Sequence, residues 1–318
     1  MMQKSHEKGV VLVSVLVIVA MITLAVNLMW QQQALSLKNT KNSVYTNQAI
    51  NYLYSIETWV RSILKEDEDK KVDDLSEDWA KKIPPISVPN GTINGTIVDF
   101  QARFNINDTF KFKDNQANIV PKYSRILNTL NTVLDQDFMV DLILEYINNH
   151  SLLQGFEHIS QLKLVEGITL KDYLTIEPYI YASTSIKTKV NINTAEKKMI
   201  AALYPDLSLS SAEMIAEKRP FNSLKEAYRA IHQALSGLTL EQVKTVFSPL
   251  IDIKSSYFLL KADVNINDTH IKAQTLFSRH EKTLSVISRT YRQVLDTQLN
   301  STSNKDSAVI EAELYISK

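Results

Sequence analysis

Few groups in this sequence are spaced for chemistry. The six histidines, His6, His150, His158, His232, His270 and His280, form no His-Glu-x-x-His or other ligand spacing. There is no Gly-x-Ser-x-Gly and no phosphate-binding loop. Cysteine is absent, which excludes disulfides and thiol chemistry. Acidic residues are plentiful, but spacing places no two of them as an acid–base pair, so no catalytic residue is assigned. Two oxygen-rich stretches raise calcium as a ligand, although Val264 and Ile266 in the first fit a strand better. Residues 263–268 begin like a calcium loop, but they lack its glycine and have Gln274 where the loop needs glutamate. Glu145, Asn148, Asn149 and Glu157, near Gly155, form a looser set that could hold calcium, since oxygen ligands need no strict spacing. Neither stretch yields assigned metal ligands.

A more specific pattern runs through residues 190–231. It includes Val190-Asn191-Ile192-Asn193-Thr194-Ala195, Lys218-Arg219 and Phe221-Asn222-Ser223-Leu224. It resembles the helix–hairpin–helix module of DNA-uptake proteins, in which backbone N–H groups of a glycine-rich hairpin face a phosphate. Here the hairpin, residues 205–210, has no glycine and carries Asp206 where an anion would sit. The formal net charge is zero, 35 basic against 35 acidic residues, so no general field favours a polyanion. A structural hairpin is expected, with nucleic acid not a partner. The alternative keeps a membrane-anchored pilus or DNA-uptake protein that uses the hairpin near Asn191.

The elements that must carry these groups begin with a polar leader ending in Lys8-Gly9. An apolar run from Val10 to Trp30 follows, with no charge between Lys8 and Lys38. About 20 such residues cross a hydrocarbon core of about 30 Å as a helix. The stretch admits a cleaved secretory signal, a plain anchor, or a short leader removed with the helix retained. Neither glycine nor proline occurs from Val10 to Ile83, and Ile50, Leu53, Ile56, Val60, Ile63 and Leu64 share one helical face. One helix over about residues 10–64 is expected, bare at first and amphipathic afterwards. Asn90-Gly91 and Asn94-Gly95 read as turn signals, and the alternation between and after them, Thr92 to Asn107, as a half-buried strand. Helical periodicity fills about residues 123–250. Strands return at 257–266, 270–279, 283–295 and 308–316. Asn-Ile-Asn occurs three times, at Asn105, Asn191 and Asn265, with no regular period.

Order and motifs together resemble the type IV pilin family, in its branch of minor pseudopilins K of type II secretion. The residues that carry the resemblance are Lys8-Gly9, Ile83-Pro84-Pro85, residues 99–107, residues 160–167, Tyr173, Pro178-Tyr179, Val190 to Ala195 and Ser255 to Phe258. The resemblance implies an α+β, pilin-like fold. A long membrane-spanning helix would join an antiparallel sheet with a large inserted helical subdomain, which contains the hairpin-like segment. The implied division is a leader 1–9, a membrane part 10–30 and a periplasmic helix 31–66. Head segments 67–119 and 253–318 would flank an insertion at 120–252. Prepilin peptidase would cut after Gly9 and methylate the amine of Val10. Ser14 stands where most pilins and pseudopilins carry glutamate, an absence characteristic of this branch. The implied partners are minor pseudopilins I and J, other pseudopilins and the inner-membrane platform, with the head in the periplasm and no enzymatic activity. The family's acidic stretch looks shortened here, at Glu145 to His150, so its calcium ligands are not carried over.

Overall fold

Without helix breakers, the first segment folds as one helix. In the computed structural model, α1 (Ser5–Glu66) runs 62 residues, about 90 Å at 1.5 Å per residue. The structure describes residues 5–66, 71–113, 116–136, 140–152, 154–280 and 283–294, the side chains of 5–10 excepted. Residues 11–44 of α1 are exposed on every side. From there one stripe, Ala49, Leu53, Ile56, Val60 and Leu64, is buried against a sheet.

The sheet is built from β1 (Ile86–Val88) and β2 (Gly91–Asp99), joined far along the chain by three more strands. Between them lie β3 (Phe104–Asn105), β4 (Phe110–Lys113), β5 (Gln116–Ile119), α2 (Pro121–Leu134), α3 (Val140–Asn149), α4 (Leu170–Ile176) and β6 (Ile180–Tyr181). Then come β7 (Val190–Asn191), α5 (Lys197–Ala202), α6 (Leu209–Ala216), α7 (Leu224–Ala234), α8 (Leu240–Phe247) and β8 (Ile251–Asp252). The sheet resumes with β9 (Tyr257–Ile266), β10 (Thr269–His280) and β11 (Thr283–Val294). Its order is β1-β2-β9-β10-β11, antiparallel throughout, with Asp99 opposite Phe258 where the chain leaves and returns. The fold is α+β and pilin-like: a long helix lies across an antiparallel sheet, and a mainly helical excursion splits that sheet in sequence. The excursion also holds three short strand pairs, β3–β6, β4–β5 and β7–β8.

Alternating apolar residues on β2, β9 and β10 give the sheet a face for α1. The excursion has its own larger core, and its helix faces supply it: Ile126, Leu127 and Leu130 from α2, Ile143 and Ile147 from α3. A small third cluster, Phe100, Tyr181, Ile186, Leu259 and Leu276, seats the excursion on the sheet face opposite α1.

Two local readings are corrected. Asn94-Gly95 is not a turn but lies within β2, paired with Asp263 and Ala262 of β9. A Cβ on Gly95 would sit 2.5 Å from Ile56 Cδ1, so the Ile56 side chain of α1 occupies the space that a side chain at 95 would need. The expected strand to Asn107 ends at Asp99, where the carboxylate accepts the Gln101 N–H (2.7 Å) and turns the chain into a short 3-10 helix, Phe100–Ala102. The alternating stretch 308–316 lies outside the described residues.

Candidate functional site

Gly9 and Val10 fall in the backbone of the first turns of α1. Ser14 follows one turn later. Its hydroxyl donates to the Val11 carbonyl (2.9 Å), a bond inside its own helix that asks nothing of a neighbour. None of the described residues buries the apolar span, and α1 is the one helix among them long and apolar enough to cross a membrane. It has the length and composition of a single-pass membrane anchor.

Further along, α1 is locked to the sheet by charge as well as packing. Glu57 is buried among the apolar stripe. It accepts two bonds from Arg289 Nε (3.0 Å each), one from Arg289 Nη2 (2.9 Å) and one from Thr275 Oγ1 (2.6 Å). A forked guanidinium fixes orientation as well as distance. The helix can therefore not roll on the sheet without breaking a buried pair.

The densest polar site sits where the excursion joins the sheet. Asp99, at the end of β2, is fully enclosed. Its Oδ2 accepts from Ser255 Oγ (2.5 Å), Thr194 Oγ1 (2.6 Å) and Asn191 Nδ2 (3.0 Å). Asn191 Nδ2 also donates to the Asp73 carbonyl (3.0 Å) and Ser255 Oγ (2.8 Å). Asp73 accepts the Ser255 N–H (2.7 Å) and pairs with Arg279, whose guanidinium lies over the Phe258 ring. Burial raises both carboxyls. Asp73 reaches about 6 even against Arg279, and Asp99 rises although its hydroxyl and amide donors pull the other way. Five segments of chain meet here. The arrangement clamps structure together.

The motif read as hairpin-like serves this clamp. Asn191 Oδ1 accepts the Asn193 N–H (2.9 Å), and Asn193 brackets the backbone of Phe221, donating to its carbonyl (3.1 Å) and accepting its N–H (2.9 Å). Ser208 caps α6 by accepting the Ser211 N–H (3.1 Å), and Leu209 follows it. The two cations of the motif are engaged within the chain: Lys218 donates to Gln233 Oε1 at the surface (2.5 Å), and half-buried Arg219 donates to the Ala195 carbonyl (2.8 Å). Burial brings Arg219 down to about 10.

Members of the oxygen-rich sets have other partners. Asn148 pairs both ways with the backbone of Ala117, its Oδ1 accepting the N–H (2.8 Å) and its Nδ2 donating to the carbonyl (3.3 Å). Residues 263–266 are strand, Asn267 and Asp268 turn β9 into β10, and Asp263 Oδ1 accepts from His270 Nε2 at 2.8 Å. Among the described residues no three His, Asp or Glu gather as a metal cluster. Sequence reasoning missed Asp73, Arg279, Glu57 and Arg289. Their partners lie more than 200 residues away, as Glu57 and Arg289 do at a separation of 232, and no local pattern reports that.

The comparisons with known proteins agree with this architecture. Residues 190–254 match the family model described as type II secretion system (T2SS), protein K. The type II secretion system protein K of Aeromonas hydrophila is 25% identical over 316 residues, covering 86% of this chain and 93% of that protein. The protein K of Klebsiella pneumoniae is 24% identical over 319 residues, covering 90% and 97%. Among solved structures, a chain of the GspK-GspI-GspJ complex from the enterotoxigenic Escherichia coli type 2 secretion system superposes with a TM-score of 0.63. At 20% identity it covers 80% of this chain and 99% of that one. The resemblance to protein K read from the sequence is borne out by these matches, and the fold is shared with the superposed chain of that complex.

Proposed function

We propose that this protein is the minor pseudopilin K of a type II secretion system, acting by assembly and without catalysis. One observation carries the reading. α1 is a single helix whose apolar half is bare and whose second half is the spine of a pilin-like head. A subunit so built can be held in the inner membrane with its head in the periplasm, then drawn out into a fibre. Prepilin peptidase cuts between Gly9 and Val10 and methylates the Val10 amine. The related complex contains GspI and GspJ, and the corresponding subunits I and J are the partners proposed here. Other pseudopilins and the inner-membrane platform follow in assembly.

Ser14 and the excursion together point to the fibre's end. A carboxylate within lipid costs about 3 kcal/mol by insertion scales unless a partner charge compensates it. Ser14 has no such requirement, since its hydroxyl is satisfied within α1. The excursion seated on the sheet adds bulk that a thin fibre would have to accommodate at every repeat, whereas a tip carries it once. In this position the subunit initiates the pseudopilus that exports folded proteins across the outer membrane. Co-expression with prepilin peptidase and mass spectrometry of the mature terminus tests the processing. A chain beginning at N-methyl-Val10 is expected, and one beginning at Met1 overturns the reading. Pull-down of I and J by the processed chain tests the assembly step, and absence of a ternary complex removes the tip assignment.

A further inference from the structure

The excursion meets the sheet face opposite α1 through the small cluster around Phe100, Tyr181 and Leu259. Beside that contact the two bodies leave a groove of about 690 Å³, with the sheet on one side and α4 and its flanking segments on the other. Arg103 lines this groove and is only 8% exposed. Its guanidinium lies over the Phe100 ring, 4.8 Å from the centroid. Nη1 is 4.0 Å from Glu177 Oε1, beyond hydrogen-bond reach. Nη2 is enclosed and has no partner among the described residues. Burial lowers the pKa of Arg103, and Glu177 and Asp99 offset only part of that. A buried guanidinium with an unfilled edge is costly, and a carboxylate is the group whose shape fills it.

The rest of the groove has the same sign. Five lysines and arginines line it against three carboxylates, in a chain whose formal net charge is zero. Lys272 of β10 stands directly opposite Arg292 of β11, an arrangement that is unfavourable in a sheet unless an anion lies near. Asp263, on the other side of Lys272, is engaged by His270. The facing wall is partly apolar. Leu170 and Leu174, one turn apart on α4, are 57% and 61% exposed, and Leu174 borders the groove.

We propose that this groove binds an acidic segment of a partner polypeptide, one of whose carboxylates pairs with Arg103. Glu177, whose side chain is 29% exposed, turns outward to admit it. A second carboxylate lies over Lys272 and Arg292, and apolar side chains between or beside the two cover Leu170 and Leu174. A small dicarboxylate would answer the charges but leave both leucines bare, so the occupant is a polypeptide. The site stands on Arg103 and the groove around it and does not depend on the assembly reading above.

Titration of the full chain in detergent with a blocked octapeptide of alternating leucine and glutamate tests this, with empty micelles as the blank. A Kd below about 1 mM is expected, weakening as salt is added. The same peptide with glutamine for glutamate should bind at least about tenfold more weakly, and so should the glutamate peptide to Arg103→Gln. Glu177→Gln should bind the glutamate peptide more tightly, because the competing carboxylate is gone. A purely structural Arg103–Glu177 pair would not produce that gain. Lys272 is exposed, so Lys272→Gln should keep the thermal midpoint and weaken binding severalfold. If Arg103→Gln does not fold, these two variants decide. No binding, equal affinity for the glutamine peptide, full affinity in a folded Arg103→Gln chain, or affinity unmoved by both Glu177→Gln and Lys272→Gln overturns the proposal. Glutarate binding as tightly as the peptide overturns the polypeptide as occupant.

Discussion

Asn105-Ile106-Asn107 and Asn191-Ile192-Asn193 are 86 residues apart and fold alike. In each, the first asparagine accepts the N–H of the second, at 3.2 and 2.9 Å. In each, the second brackets the backbone of a distant phenylalanine, Phe156 for Asn107 and Phe221 for Asn193. They differ in what the first asparagine's amide reaches. Asn105 donates to the carbonyls of Ser183 and Ile186, both neutral. Asn191 donates into the Asp99 carboxylate at the joint with the sheet. The third copy, Asn265-Ile266-Asn267, is extended strand running into a hairpin, with Asn267 at φ 48°. The same tripeptide is thus a bracket where a loop must be pinned and a plain strand end where a ladder already satisfies the backbone. Only the distant partner decides between them.

The largest expected break in this comparison is at the charge. Asp99→Ala removes the acceptor of four buried donors, and about 3–5 kcal/mol of stability should go, read as loss of exchange protection across both the excursion and β9. Asp99→Asn should be little better, because its NH2 must face a donor on one side or the other. Next come the brackets. Asn193→Ala and Asn107→Ala each leave one buried N–H and one buried carbonyl unpaired, about 2–4 kcal/mol apiece. Their similarity is the sharper test: denaturant midpoints that differ severalfold in free energy would mean the two brackets are not equivalent.

A smaller effect separates joint from excursion by pH. Burial raises Asp73 in the joint and Asp108 in the excursion to about 6, above the ordinary value near 3.8. The folded chain therefore holds more protons than the unfolded one between those values, so these groups stabilise it as pH falls from 7 toward 4 and the gain is lost on rising through 6. Asp108→Asn should flatten part of that slope and leave the Asp73 part, measured by denaturant midpoints at pH 7.5 and 5. Smallest is Asn265→Ala, within about 0.5 kcal/mol, since its amide only approaches Asp263 at 3.4 Å.

What the sequence made legible was whatever depends on near neighbours. The unbroken run from Val10 to Leu64 declared α1, because helix breakers and apolar spacing act within a turn or two. The alternation of 257–266 declared β9 for the same reason. Asn94-Gly95 misled because a glycine at a turn and a glycine under a packed helix look identical until Ile56 arrives from elsewhere. The strand read through to Asn107 misled because Phe100, Phe104 and Ile106 are buried, but in different cores. At the candidate site, Asn191 to Ala195 stood out as a motif, while its function as a clamp depended on Asp73, Asp99 and Ser255, whose meeting is purely tertiary.

Asp99 and Phe258 face each other across β2 and β9, so the excursion's two ends are neighbours. Bringing the ends of a long loop together costs chain entropy, and pairing β2 with β9 carries that cost, but it grows only logarithmically, about 0.6 kcal/mol for each doubling of length. The length of what lies between can therefore change at little expense to the sheet. The joint behaves as a socket: a small pilin fold can accept, enlarge or exchange a whole second body there while its own strand order stays as it is.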